Sequence, residues 1–556
     1  YFIELSGSLL KENGEAGQIV SNKFMHSGYG SNLREYLTNT LCLKEIIDFG
    51  DLPVFKTASA YPSIILYKNG GISIDSLPFS RLESLNFSEL RSAIEENTYE
   101  INLSELQGGR WSLASKKNAK ILSKMDSTDI ELRSYIESDI NYGIKTGYNN
   151  AFFIDGDKRK ELINQDESSQ DVIKPLAVGK DVKRYHIASE NKYLIFTRRG
   201  VNIEDYPAIR SHLQKFKDEL EPEPPSNTGS WEGRKSGEYE WYEIQDTIDY
   251  WEDFELNKIV YPSISKKPRF VLDTDGYYLN NKCFIISEEN WALVGLLNST
   301  AAHFWLDDKL PTLRGGYYET RSEILRSFPI PNGISSVKQN LDSRVREVTG
   351  YIERKTNLNT DLLDHLGNIR YLANISDFGL IQPPTSSASS ILRKTAKEHP
   401  KLRIGTIRVD RKSPNTVLIE ATARYKPDDG EAHETDQWGY TETEYLPAFR
   451  ITDLTEREAD LIEHFVPVAV DEAGGFANFR ETATKTNSLI DRLKAIELPD
   501  VDDVADDLEN YLETKERAEE LDEKIEQTDQ LIDEIVYELY GLTDEEIEIV
   551  EDAVGE

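Results

Sequence analysis

From Glu497 to Glu556 the chain carries 25 acidic side chains and only 3 basic ones, a net of −22 within sixty residues. Few structures tolerate that density of like charge. A sheet would set carboxylates opposite one another, and a closed core would bury them unpaired. A long helix keeps them apart in water and needs only one apolar stripe. Such a stripe is present: Leu521, Ile525, Thr528, Ile532, Ile535 and Leu539 recur at spacings of three and four, the seam of a coiled coil. Gly541 stops the run, and Thr543 with Glu546 marks the cap of one more short helix. Residues 491–556 are therefore expected to form an acidic helical tail. Its seam is expected to be available to a second copy or another chain, as a homo- or hetero-oligomer contact.

That count also reshapes the total. All 556 residues together hold 64 Lys+Arg against 100 Asp+Glu, a net of −36. Taken as an average, this argues against nucleic acid, because affinity for phosphate rests on Lys and Arg. With the tail set apart, the first 496 residues hold only −14, and residues 141–330 hold 31 acids against 25 bases. The bases there cluster. Lys174, Lys180, Lys183 and Arg184 fall within eleven residues, Lys266, Lys267 and Arg269 form a second knot, and Arg314 and Arg321 flank a Gly-Gly-Tyr-Tyr loop. Any one of these suits an ordinary solvated loop. Three in one Gly-, Tyr- and Asn-rich region point to a phosphate-contacting surface with interleaved aromatics.

Other classes fall away on composition. At 38 % hydrophobic residues, with 28 Tyr and 20 Phe, the chain is too apolar to be disordered. Cys42 and Cys283 are its two cysteines, which excludes a disulfide framework or a cysteine-based zinc site. The eight His are scattered without metal-binding spacing, and His303 reads as a packed helix residue. The longest apolar runs, PSIILY and CFII, fall far short of the ~20 residues a bilayer requires. A soluble cytoplasmic protein is expected, and the acid surplus outside the tail fits a high-salt host.

Along the chain, residues 1–75 read as helix, strand, helix, strand, loop and strand, the second half of a Rossmann-like α/β sheet. Its last two strands lack an intervening helix, so they are expected to pair antiparallel at the sheet edge. Residues 76–139 read as a mixed connecting segment, and 140–335 as a mixed α+β domain of short strands. Within it, TDGYYLNNKCFIIS looks like a hairpin turning at Asp275-Gly276. A helical connector (336–375) leads to an α+β insertion (376–490) that opens on the linker-like IQPPTSSASS. The insertion contains a hairpin turning at Ser413-Pro414-Asn415 and a capping box at Thr455. DEKI at Asp522–Ile525 is like half of a nuclease motif but lies on the helical seam, and no nuclease site is evident.

Several strings are more specific than their charge. YGIKTGYNNAFFID (Tyr142–Asp155), IKPLAVGKDVKRY (Ile173–Tyr185), YPAIRSHLQKFKDEL, KIVYPSIS, GYYLNNKCFIIS and LRGGYYETRSEILRSFPIP occur in that order through Pro331. Together they resemble the target-recognition region of the γ-class N6-adenine DNA methyltransferases of type IIG restriction–modification and related phage-defence systems. The opening YFIELSGSLLKENGEAGQIVSNKFMHSGYGSNLREYL resembles the stretch after that family's catalytic motif. VFKTASAYPSIILY resembles its last methylase motif, and IDEIVYELYGLTDEEIEIVE its usual ending.

The resemblance implies S-adenosylmethionine as cofactor, double-stranded DNA as partner and a flipped adenine as target. It also implies an Asn/Asp-Pro-Pro-Tyr/Phe loop. None is present, since QPPT (Gln382–Thr385) and EPPS (Glu223–Ser226) have the wrong first and last residues, and no Gly-rich cofactor loop is found. Both are expected upstream of Tyr1, as is any fused, Mg-dependent endonuclease. These residues alone are expected neither to bind the cofactor nor to methylate DNA. Phe55 matches the position whose aromatic packs on the flipped base; its alternative is a core aromatic ahead of a strand. Lys145, Tyr148 and Asn149 are DNA-contact candidates, with the alternative that Gly143 and Gly147 shape a hairpin and Lys145 is structural. Arg314, Tyr317, Tyr318 and Arg321 suit groove insertion, since Arg pairs bidentately with guanine or phosphate and Tyr stacks. Lys180, Lys183 and Arg184 suit backbone positioning. The rival reading is a non-catalytic DNA-specificity or interaction module.

Overall fold

The computed structural model describes all residues except 27–29, 51, 56–60, 71–75, 83, 107–110, 112–115, 314–315, 368–369, 385–402, 428–434, 436–438, 473–488 and 556. The chain divides into two compact units, residues 1–353 together with 524–556, and residues 354–523. No described helix is long and apolar enough to cross a membrane.

The first unit opens on a five-stranded sheet of β1 (Glu15–Ser21), β2 (Cys42–Asp48), β3 (Pro62–Lys68), β4 (Ser76–Arg81) and β5 (Thr98–Asn102), in the order β1-β3-β2-β4-β5. β2 and β3 are antiparallel, as expected. β3 is not at the edge, however: it lies between β1 and β2, antiparallel to both. Its near-continuous apolar run suits a strand covered on two faces, and Ile65 and Tyr67 are fully buried. Gly17 of β1 makes room for it, since a Cβ there would come within 2.7 Å of Leu66 Cδ2. β4 runs parallel to β2 and β5 closes that side, so the sheet continues past residue 75 into the expected connecting segment.

Residues 140–330 build two four-stranded sheets. One joins Ile140–Tyr142, Lys258–Pro262, Val271–Asp273 and Cys283–Ile286. The other joins Phe153–Asp155, Ile173–Ala177, Lys192–Ile195 and Tyr278–Leu279. The turn at Gly276 exists (φ +72°), but it makes no hairpin, because the strands on either side of it enter different sheets. Asp273 sets this divergence. Its carboxylate accepts from the Asp275 and Tyr277 amides (2.9 Å each) and from Lys258 Nζ (2.6 Å). Lys258 and Asp273 are both fully buried; burial pulls the ammonium below its usual range, and Asp273 counters it.

The C-terminal helices, Ala505–Tyr540 and Asp544–Gly555, exist as expected. From residue 524 onward the seam is not left open for another chain. Thr528 and Ile532 are buried, and Ile532, Val536, Tyr537, Tyr540 and Val550 join the core formed by Leu293, Leu296, Ala301 and Trp305. Polar contacts fix the register. Asp533 accepts from the Thr300 amide (2.7 Å) and hydroxyl (2.6 Å), and Tyr540 Oη donates to Pro329 O (2.6 Å). Arg184, expected to touch DNA, is held by the Asp529 carboxylate and by Asn298 O (3.0 Å). Glu546 accepts from the Thr543 amide (3.0 Å) and pairs with Lys124 (2.7 Å) and Lys120 (3.4 Å).

The second unit is an antiparallel sheet with helices. Its strands run in the order Leu380–Gln382, Leu446–Thr452, Thr416–Tyr425 and Arg403–Ser413, with Thr441–Glu442 beside Thr416–Tyr425. Ser413 faces Thr416 across the expected turn. Thr455 and Glu458 form the expected capping box, Thr455 N to Glu458 Oε2 at 2.7 Å and Glu458 N to Thr455 Oγ1 at 3.2 Å. The unit reaches beyond 376–490 on both sides because Tyr371–Asn374 pairs with Glu497–Pro499. Residues 385–390 of the linker-like stretch lie outside the described residues.

Unfolding measurements test the tail contacts, with one exposed ion pair as the comparison. Arg184→Ala leaves a partly buried carboxylate uncompensated and should cost about 1–3 kcal/mol in urea unfolding. Arg321→Ala, which removes an exposed pair with Glu319, should cost under ~1 kcal/mol. Lys124, and after it the Thr543 amide, hold the Glu546 carboxyl down to about 2. The unfolded chain takes up that proton near pH 4.5, so this stabilisation is complete above pH 4.5 and fades as pH falls towards 2. Glu546→Gln should therefore cost about 1 kcal/mol at neutral pH, with the difference from the parent shrinking below pH 4.5.

Candidate nucleic-acid interface

Three polar loops converge at one side of residues 140–330. The first is Gly143–Asn149. Gly143 lies so close to the next loop that a Cβ would come within 2.1 Å of Asn280 O, and its amide donates to Cys283 O (2.9 Å). Ile144 N donates to Leu279 O (2.7 Å), and Asn281 N donates back to Ile144 O (3.0 Å). Gly147 takes φ +85°, a conformation that favours glycine. Thr146 is buried and donates its hydroxyl to Asn149 Oδ1 (2.7 Å), so part of the Asn149 amide is engaged while the residue itself stays exposed. Tyr148 is half-buried with its ring 6.2 Å from that of Phe216. Lys145 is half-buried, and its carbonyl accepts from the Asp246 amide (3.2 Å).

The second and third loops carry the exposed cations. Gly179 packs on Lys282, 3.1 Å from its carbonyl oxygen to a built Cβ, which brings the turn bearing exposed Lys180 against the turn bearing exposed Lys282. Lys282 O accepts from Ser263 N (2.8 Å), and Ser263 O accepts from Thr320 N (2.9 Å). The neighbouring strand Ile264–Ser265 pairs with Tyr318–Glu319. Lys266 Nζ stands 5.2 Å from the centre of the exposed Tyr317 ring. The segments bearing Lys180, Lys282, Lys266 and Tyr317 are thus linked in turn by backbone contacts, and the last two residues by an ammonium–ring contact. Lys282 and Asn281 were not among the sequence candidates. The signal was there in the Asn-Asn-Lys that interrupts two apolar runs, Tyr-Tyr-Leu and Cys-Phe-Ile-Ile.

The remaining candidates divide. Lys183 is half-buried and its amide donates to His186 O (2.9 Å). Arg184 is committed to Asp529 as described, so it presents no free guanidinium. Tyr318, expected to stack on bases, is buried against the hydrophobic core because it alternates with Tyr317 on a strand. His303 packs 6.2 Å from it, and burial lowers the imidazole to about 4, as suits a packed helix residue. Arg321 is exposed and ion-paired with Glu319 at 2.7 Å. Arg314 lies outside the described residues.

A second polar feature sits at the carboxyl ends of β1 and β2. Asn22 Nδ2 donates to Asp48 Oδ1 (2.9 Å), which also accepts from the Gly50 amide (3.1 Å). Asn22 N donates to Tyr61 O (2.7 Å) and Phe49 N to Pro62 O (3.1 Å), so the segment between Phe49 and Tyr61 is tied at both ends. Phe55 stands on that segment and is 44 % exposed, unlike the core aromatic of the alternative reading.

Residues 1–55 match the family described as Eco57I restriction-modification methylase, and residues 174–330 match the TaqI-like C-terminal specificity domain. Among curated proteins, the Type II methyltransferase M.BstVI of Geobacillus stearothermophilus is 22 % identical over 63 % of this chain and 65 % of its own length. M.PaeR7I of Pseudomonas aeruginosa is 23 % identical over 59 % of this chain and 58 % of its own, and M.BanIII of Aneurinibacillus aneurinilyticus 23 % over 61 % and 64 %. The chain spans less than two thirds of the length of these relatives. Over its first 55 residues the chain is thus similar to a restriction-modification methylase family, and over residues 174–330 to a TaqI-like specificity domain.

Proposed function

We propose that this chain is the DNA-recognising portion of a site-specific adenine-N6 DNA methyltransferase of a restriction–modification or phage-defence system, acting in the cytoplasm. Residues 1–102 would be the last part of the methyltransferase sheet, 140–335 the recognition domain, and 524–556 a brace for that domain. The observation that carries this reading is the Lys180–Lys282–Lys266–Tyr317 line, which falls wholly inside the segment matching a specificity domain. Exposed lysines beside a stacking-capable tyrosine suit a phosphate backbone and its bases.

Methylating N6 requires the adenine to leave the stack, at a cost of a few kcal/mol, and to enter a pocket. An exposed aromatic at the carboxyl end of a sheet is well placed to receive it, and Phe55 holds that position. S-adenosylmethionine supplies the methyl group when bound. Neither its Gly-rich loop nor an Asn/Asp-Pro-Pro-Tyr/Phe motif occurs in these 556 residues, so both are assigned to residues outside this sequence. What these residues supply is recognition and one wall of the base pocket.

Each phosphate contact adds about one to the salt slope of binding. Lys180→Ala and Lys282→Ala should each lower the slope of log K against log[salt] by ~1, measured by fluorescence anisotropy on duplex DNA. A slope unchanged in both variants would remove the lysine line from the interface. In the methylating enzyme, Phe55→Ala should reduce methyl transfer on the order of 10-fold or more, given ~1–3 kcal/mol per base stacked on an aromatic. DNA affinity should change little. Equal losses in transfer and affinity would place Phe55 outside the pocket.

A further inference from the structure

Arg234 is 3 % exposed, and among the described residues no carboxylate stands within ion-pair distance of it. Its five N–H groups go instead to five backbone carbonyls. Nε donates to Leu220 O (2.7 Å), Nη1 to Thr146 O (2.9 Å) and Glu243 O (2.6 Å), and Nη2 to Glu240 O (3.3 Å) and Trp241 O (3.0 Å). The guanidinium also lies 4.5 Å from the centre of the Tyr239 ring and 5.7 Å from that of Phe152.

Burying a cation without a counter-ion is costly, and an apolar side chain of similar volume would fill the space with less penalty. What an apolar residue cannot do is fix irregular backbone. All five acceptors lie outside strand ladders, in three stretches that no sheet holds in register: Thr146, Leu220 and Glu240–Glu243. The first belongs to the loop Gly143–Asn149. That loop is tied to the same neighbours by Gln245 N to Thr146 O (3.1 Å) and by Asp246 N to Lys145 O (3.2 Å). Gly147 rests on the arginine stem, where a Cβ would come within 2.6 Å of Arg234 Cδ.

We propose that Arg234 is a positioning residue for sequence recognition: its five-carbonyl knot sets the loop Gly143–Asn149, and through it Lys145, Tyr148 and Asn149, in the orientation that reads DNA. This rests on the reading of that loop as DNA-facing. Loss of the knot leaves the exposed lysine line untouched, so the change falls on discrimination and not on general affinity.

The test compares two duplexes by fluorescence anisotropy, one bearing the motif found by mapping methylated adenines in the host genome and one scrambled. In Arg234→Ala and Arg234→Lys the specific-to-scrambled affinity ratio should fall about tenfold or more, as expected for lost base contacts. Affinity for the scrambled duplex should hold within about twofold. Free guanidinium, at ionic strength matched with sodium chloride, should restore part of the ratio in Arg234→Ala. An unchanged ratio in folded variants overturns the inference, as does an equal loss on both duplexes. If the Arg234 variants do not fold, Gly147→Ala disturbs the same contact from the loop side and should lower the ratio in the same way; an unchanged ratio there overturns the inference. Lys145→Ala separates the two layers. A loss of affinity in Lys145→Ala with no effect at Arg234 overturns the positioning role alone, whereas no effect of Lys145→Ala on either duplex overturns the reading of the loop as DNA-facing.

Discussion

Asp529 and Asp533 stand one turn apart on a helix that carries acid on nearly every face, and both are turned inward. A helix of this charge can join a core only if its inward carboxylates are received there. Arg184 receives the first, and the amide and hydroxyl of Thr300 the second. Burial pushes both carboxyls upward while these partners pull them back. Around this pair the apolar positions Ile532, Val536 and Tyr540 complete the same core as Trp305 and Phe328. From residue 524 onward the acidic tail is thereby part of the core of the first unit, and the brace is internal.

This arrangement also accounts for how an acidic protein can present a basic surface. Arg184, Lys258 and Lys124 are consumed in holding the fold, each against a carboxylate. Arg234 is consumed against carbonyls. Lys180, Lys282 and Lys266 are among the cations left exposed, on segments joined by backbone contacts and ending at Tyr317. Net charge therefore says little about the face, because structural pairs cancel in the total while the line does not.

Much of this was legible in the sequence. The helical tail, the capping boxes at Thr455 and Thr543 and the turn at Ser413–Thr416 are local, and local patterning dictates them. What was not legible depends on long-range partners. PSIILY looked like an edge strand because it follows its neighbour without a helix, yet its two-sided apolarity suits the place between β1 and β2. The turn at Gly276 looked like a hairpin, but Asp273 and Lys258, fifteen residues apart, send its arms into different sheets. Arg184 and Tyr318 stand out by residue type and by clustering along the chain, and neither tells which side of a strand or which carboxylate a residue meets. For Lys282 the sequence offers only the Asn-Asn-Lys break between two apolar runs, and its partner turn at Gly179–Lys180 is about a hundred residues away.

In the proposed complex DNA lies along Lys180, Lys282 and Tyr317. Photo-crosslinking of 5-bromodeoxyuridine-substituted duplexes to the intact chain, read by mass spectrometry of the tryptic peptides, tests it most directly. Adducts should concentrate on the peptides containing Lys180, Lys282 and Tyr317 and should be lost when an excess of unsubstituted duplex competes. Adducts confined to residues 354–523, or none at low salt, would contradict the account.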